Sequence, residues 1–166
     1  MVYMGMKNDV SFLIDNTMNI YEQQSTFNPN MPMRFLIYSG RLYSKYIEGK
    51  NNYHQYSSKL QKAPAPRCVC FYNGTREQED RTILKLSDAF NGDADIQVEV
   101  TMINVNYGHN QKLLDACKPL KEYSWLIGKI RSNQAAMETL DDAVDAALKE
   151  MPDEWLLKLF LMEHKA

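Results

Sequence analysis

Polar and apolar residues alternate at the start of Asp9-Val10-Ser11-Phe12-Leu13-Ile14, and Met18 to Tyr21 form a second strand-compatible run. With Asp15-Asn16 as the turn between them, Met6 to Ser25 reads as a tight β-hairpin. Asn28-Pro29-Asn30-Met31-Pro32 then breaks the extended pattern. Asn30 in a capping position and Pro32 in the first turn predict a helix running to about Glu48. Its apolar residues Phe35, Leu42 and Tyr46, with Tyr38, Tyr43 and Ile47, recur at helical spacing. Arg34, Arg41 and Lys45, seven and four residues apart, fall on another stripe. One face should pack and the other should be basic.

The polar stretch from Gly49 to Pro66, ending in Ala63-Pro64-Ala65-Pro66, reads as a loop. Arg67 to Tyr72 is a nearly continuous apolar run suited to a buried strand and closed by Asn73-Gly74. Thr82 to Leu86 predicts a short strand, and the alternation from Ile96 to Val105 predicts a strand with one covered face. Beyond His109 the pattern turns helical: Leu113-Leu114, Pro119 to Ile130, Met137 to Glu150 and Asp153 to His164. The expected fold class is therefore α/β in the mixed α+β sense, a mixed sheet flanked by helices with a helical C-terminal third. The short connections predict one domain over residues 1–166.

Composition adds little to that class but narrows the setting. The 166 residues, 45% hydrophobic and 24% charged, suit one soluble globular domain. There is no run of about 18 uncharged apolar residues and no basic patch followed by an apolar stretch at the N-terminus, so neither a spanning helix nor a signal peptide is expected. The expected compartment is the cytoplasm, with no membrane partner. Three cysteines make an odd count, and the thiols of Cys68 and Cys70 are expected on opposite strand faces, so neither a disulfide framework nor a zinc site is predicted. The net charge of −2 is unevenly spread. Residues 34–67 hold seven cations against Glu48 alone, and residues 138–154 hold seven acids against Lys149 alone. With a screening length of about 8 Å, such a basic segment can attract a polyanion even in a mildly acidic protein. Solvated helix faces account for the same charges.

Turn arithmetic singles out three residues. A two-residue turn at Asp15-Asn16 pairs positions whose numbers sum to 31, so Asp9 lies opposite Glu22. Gln24 follows on the same face, with the carbonyl of Gln23 beside it. Carboxylates at paired positions repel unless something offsets them. A divalent cation would do so, and magnesium accepts one or two carboxylates completed by water and phosphate oxygens. A three-residue turn would instead send the two acids to different faces. His54, His109 and His164 have no second ligand at metal spacing.

The segments Asn8-Asp9-Val10, Tyr21-Glu22-Gln23-Gln24-Ser25-Thr26, Asn28-Pro29-Asn30-Met31-Pro32-Met33-Arg34, Phe71-Tyr72-Asn73-Gly74, Leu86-Ser87-Asp88-Ala89-Phe90 and Asn106-Tyr107-Gly108-His109-Asn110 together resemble the PD-(D/E)XK nuclease family transposases, relatives of the recombination-promoting nucleases. The resemblance implies a restriction-endonuclease-like core. It maps the family's aspartate to Asp9, its acidic residue to Glu22 and its usual lysine position to Gln24, as in an E-x-Q branch. It also implies a metal set of Asp9, Glu22 and the Gln23 carbonyl, with Mg2+ or Mn2+ as cofactor. Where the family often reads Glu-His-Gln, this sequence has Glu22-Gln23-Gln24. Relatives usually carry a helical segment before the first strand and commonly a charged helical tail, so this sequence is expected to be a shortened reading frame or a fragment.

The function expected on these grounds is metal-dependent hydrolysis of DNA phosphodiesters, associated with transposition or recombination. Asp9, Glu22 and Gln24 would form the catalytic set, and Arg34, Arg41 and Lys45 would bind backbone phosphates. The alternative is a catalytically silent remnant that binds DNA or a protein through the same surface. Apolar helix surface in the C-terminal third would allow a homo-oligomer.

Overall fold

The computed structural model describes residues 9–49, 56–136 and 139–164. The expectations for Met6 to Asn8, for part of the 49–66 loop including His54, and for the start of the helix at Met137 lie outside them. Contacts divide the chain into two compact units, residues 1–103 and 104–166. Short loops limit how far successive elements can separate but not how many apolar clusters they build.

In the first unit, β1 (Val10–Ile14) and β2 (Thr17–Gln24) are antiparallel with pairs from Val10↔Tyr21 to Ile14↔Thr17, the expected register. Asp15 reverses the chain at φ 51°, a left-handed conformation that Asp tolerates better than most residues. Helix α1 spans Met31–Glu48 with Pro32 in its first turn. Asn30 occupies the capping position without a side-chain cap bond. Instead the Asn28 Oδ1 accepts the Asn30 N–H at 2.9 Å, shaping the turn that launches the helix.

Strand β3 (Ala65–Tyr72) lies parallel to β2, from Thr17↔Ala65 to Gln24↔Tyr72. Parallel neighbours cannot be joined by a tight turn, and α1 lies in the crossover between them. Strand β4 (Arg81–Lys85) leads through a 3-10 turn at Leu86–Ala89 towards β5 (Glu99–Asn104), which pairs antiparallel with β4. The sheet order is β1-β2-β3-β5-β4, a mixed sheet. The strand expected from Ile96 starts only at Glu99. Just before it the Val98 carbonyl accepts the Leu86 N–H at 2.9 Å, outside the paired run that ends at Lys85↔Glu99.

Met18, Ile20, Cys70 and Tyr72 project from the sheet onto Met31, Phe35 and Tyr38 of α1, with Leu84, Val100 and Met102 completing the cluster. Phe35 and Ile20 are fully buried, each contributing on the order of 1.5–3 kcal/mol by leaving water. Cys68 packs against the same cluster that contains Cys70. The expectation of opposite faces is thus corrected, because side chains two apart on a strand share a face. Strand β1, at the sheet edge, is exposed throughout.

The second unit is helical: α2 (Gln111–Ala116), α3 (Lys118–Gln134), α4 (Leu140–Glu150) and α5 (Leu156–Glu163). Its apolar cluster centres on Leu126, Ala147 and Met151, with Trp125 and Trp155 edge to face at 5.3 Å. Much of the acidic run has local work. Thr139 Oγ1 accepts the Asp142 N–H at the start of α4, and Asp141 and Asp142 sit in its first turn, where the helix dipole favours negative charge. Glu150 pairs with Lys129 and Asp153 with Lys158. The buried Glu122 accepts the Leu157 N–H at 2.9 Å, capping α5. Leu156, Leu159, Phe160 and Met162 of α5 are exposed. No helix among the described residues is long and apolar enough to cross a membrane.

Candidate functional site

Beyond Val10 the ladder between β1 and β2 ends, and side chains take over its hydrogen bonds. The Gln23 N–H donates to Asp9 Oδ2 at 2.7 Å, and the Asp9 N–H donates to Glu22 Oε2 at 3.3 Å. Each acid thus ties its strand to the other, and the two carboxylates are drawn to one corner, as the turn arithmetic required. Glu22 follows Met18 and Ile20 on the face covered by α1 and is 3% exposed, whereas Asp9 is exposed. One carboxylate is therefore embedded in the core wall and the other stands at its rim.

Three groups converge on Glu22 Oε1: the Arg34 guanidinium, Tyr38 OH at 3.4 Å and Gln24 Nε2 at 3.3 Å. Tyr38 OH in turn accepts from Arg34 Nε at 3.0 Å and Nη2 at 2.7 Å. Arg34 and Tyr38 are one helical turn apart on α1, so they meet above the strand that carries Glu22. The spacing that put Arg34 in line with Arg41 also put it in line with Tyr38, and the second relation governs its position. Arg34 is 26% exposed and paired with Glu22, so it forms a wall of the acidic corner where a fully exposed stripe was expected. Arg41 and Lys45 are exposed, as expected of that stripe.

Burial pushes the Glu22 carboxyl above its ordinary value; Arg34 counters this and the neighbouring Asp9 charge adds to it. Burial likewise raises the Tyr38 phenol, against the hydrogen bonds from Arg34. Burial alone would lower the Arg34 value, but Tyr38 and Glu22 outweigh it and hold the guanidinium firmly charged. The corner thus concentrates two acids and one cation where water is partly excluded.

Gln24 bonds through Nε2 to the Gln23 carbonyl at 2.9 Å as well as to Glu22, so the expected trio of Asp9, Glu22 and Gln24, with the Gln23 carbonyl, is brought together. The end of β3 buttresses it. The Asn73 N–H donates to the Gln24 carbonyl at 3.0 Å, and Gln23 Nε2 donates to Asn73 Oδ1 at 2.6 Å. Gly74 lies so close that a Cβ there would come within 2.5 Å of the Ser25 carbonyl. Tyr38 and Asn73 are site residues to which the sequence pattern assigned no role. Tyr38 stood among the apolar positions of α1, and Asn73-Gly74 was read as a strand terminator and as part of the family resemblance, with no contact assigned to it.

The donor set can be weighed against a cation. Among the described residues no group of three or more His, Cys, Asp or Glu side chains is placed to hold a metal ion. Two carboxylates and one main-chain carbonyl remain, all oxygen donors, while the Gln24 amide nitrogen donates hydrogen bonds to them and is no ligand. That set fits a hard ion that keeps much of its water, such as Mg2+ or Mn2+, and does not fit zinc. Comparison with protein-family models, with curated proteins and with solved structures found no match.

Proposed function

We propose that this protein is a metal-dependent DNA endonuclease whose reacting centre is the corner formed by Asp9, Glu22 and Gln24. The single observation carrying the proposal is the convergence of Asp9, the buried Glu22 and Gln24 with the Arg34 guanidinium at the frayed end of the β1–β2 ladder. Arg34 offsets one of these two like charges, and a site that must hold a cation next to a phosphate gives the pair a use. The resemblance of the Asp9, Glu22-Gln23-Gln24 and Phe71-Tyr72-Asn73-Gly74 segments to PD-(D/E)XK nuclease family transposases agrees with this reading. It extends it to a restriction-endonuclease-like core and to a role in transposition or recombination.

In this account Asp9, Glu22 and the Gln23 carbonyl hold the cation. When bound, Mg2+ or Mn2+ supplies an acidified water and offsets the charge that builds up on the phosphate. Gln24 orients the attacking water; an amide is no base, so it positions the water and takes no proton. The water oxygen bonds to phosphorus and one ester P–O bond breaks, leaving a phosphate monoester and a hydroxyl. Arg34 supplies the positive charge that a lysine at position 24 would have given, and its planar fork suits two phosphate oxygens. Arg41 and Lys45 hold the flanking backbone and read no sequence.

The test is conversion of supercoiled plasmid by the purified full chain. Nicking or linearisation is expected with Mg2+ or Mn2+ and none in EDTA, with loss of activity in Asp9→Ala. Activity unaffected by EDTA, or retained at the wild-type rate in Asp9→Ala, would assign the cleavage elsewhere. The pairing of Arg34 with Glu22 favours a second reading, a silent remnant that binds DNA through Arg41 and Lys45. Salt-sensitive DNA binding with no cleavage under either metal is its signature.

A further inference from the structure

Resting on the cation site proposed above, we infer that Arg34 is a built-in competitor for that cation, which neutralises Glu22 until the metal arrives and is thereby released to the substrate phosphate. Glu22 Oε1 is the oxygen at issue. It already receives Arg34, Tyr38 and Gln24, so a cation using this oxygen meets a fixed positive charge and two hydrogen-bond donors. A guanidinium and a divalent cation cannot both sit at hydrogen-bonding distance from one carboxylate oxygen without strong repulsion at the reduced dielectric of a buried group.

In this scheme Tyr38 keeps the arginine near the corner once it leaves Glu22. Its side chain is 26% exposed and is held at Nε and Nη2 by Tyr38, while Nη1 donates to the thioether of Met31 at 3.5 Å, a weak acceptor. Tyr38 OH can therefore act as a pivot, keeping the guanidinium near the corner after it leaves Glu22. The displaced fork would meet a phosphate drawn in by the cation. Metal and DNA then bind with positive coupling, because each favours the arrangement with Arg34 turned away from Glu22. The chain would bind metal weakly until a phosphate backbone is present, so cleavage would be confined to the assembled complex. Tyr38 is a positioning residue in this scheme.

Calorimetric titration of Mn2+ into the full chain at pH 8 tests the idea without reference to activity. Arg34→Gln should bind Mn2+ more tightly than wild type by on the order of tenfold, as expected for removing a neighbouring like charge. Arg34→Lys should stay near wild type, and Tyr38→Phe should tighten binding by about threefold by loosening the arginine. With a phosphorothioate duplex that resists cleavage, Mn2+ should strengthen DNA binding to wild type and do so less for Arg34→Gln.

A folded Arg34→Gln that binds Mn2+ no better than wild type overturns the competition and leaves Arg34 as a simple support for Glu22; metal-dependent cleavage by wild type in that case keeps the nuclease reading intact. Absence of Mn2+ binding in both proteins overturns the cation site and this inference with it. Circular dichroism establishes folding. If Arg34→Gln fails to fold, the Tyr38→Phe titration decides, and unchanged affinity there counts against the inference.

Discussion

Removing one oxygen from Tyr38 separates the hydrogen-bond network of the acidic corner from its packing. In Tyr38→Phe the ring stays in place, edge to face with Phe35 at 5.8 Å, so no cavity opens. What disappears is an acceptor for Arg34 Nε and Nη2 and a donor to Glu22 Oε1. A hydrogen bond to a charged group contributes about 1.5–3 kcal/mol net. Arg34 is a quarter exposed and can recover water, and the bond to Glu22 is long at 3.4 Å, so both values shrink. The expected cost is about 1–2 kcal/mol. Both tryptophans, Trp125 and Trp155, lie in residues 104–166, so their fluorescence reports on the helical unit. Amide hydrogen exchange of β2 residues Ile20 to Glu22 reports on the sheet unit and gives the free energy of opening directly. Tyr43→Phe, which loses one bond to the Pro64 carbonyl, is the control for a hydroxyl outside the corner. Protection in Tyr38→Phe within about 0.3 kcal/mol of wild type would refute the claim that Tyr38 ties Arg34 and Glu22 together.

Gly74→Ala should destabilise the sheet unit by about 1–3 kcal/mol, because its Cβ would press on the Ser25 carbonyl and the Tyr72 ring, whereas Gly92→Ala, with open space around it, should change stability little; equal melting shifts would contradict the packing. Gln24→Lys places a second cation beside Glu22 Oε1, so cleavage at limiting Mg2+ should fall severalfold and recover as Mg2+ is raised; a rate above wild type at limiting metal would show that the corner lacks positive charge. Burial pushes the Cys68 and Cys70 thiols up to about 11 and about 12. A thiol becomes reactive only as pH rises through its value, so at pH 8 only about one in a thousand Cys68 side chains is thiolate. The native protein should therefore titrate one rapid thiol, the exposed Cys117, and three after denaturation; two rapid thiols at pH 8 would contradict the burial of the strand pair.

The hairpin was legible because register follows from turn length: once Asp15-Asn16 is taken as a two-residue turn, every pair from Val10↔Tyr21 to Ile14↔Thr17 is fixed. Helix α1 was legible from Pro32 and the spacing of its apolar residues. The partner of Arg34 was hidden, because an arginine seven residues from another and four from a tyrosine belongs to two stripes at once. Only the packing of α1 back onto β2 decides between them, and the spacing within the helix does not reveal that packing. The role of Asn73 was hidden because its contact with Gln23, fifty residues away, depends on the parallel register of β2 and β3. The exposure of β1 was unreadable from its apolar residues, since alternation indicates a strand but not whether it lies at a sheet edge.

The central claim is that Asp9 and Glu22 together hold a divalent cation, and the stoichiometry of Mn2+ on the folded full chain in the presence of a phosphorothioate duplex tests it most directly. Electron paramagnetic resonance separates bound from free Mn2+ in wild type and in Asp9→Asn with Glu22→Gln, a double variant that keeps both side-chain shapes while removing both charges. The account predicts one site per chain in wild type and its loss in the double variant, with DNA binding through Arg41 and Lys45 retained. One site that persists at unchanged affinity in the double variant, or no site in wild type, would contradict it.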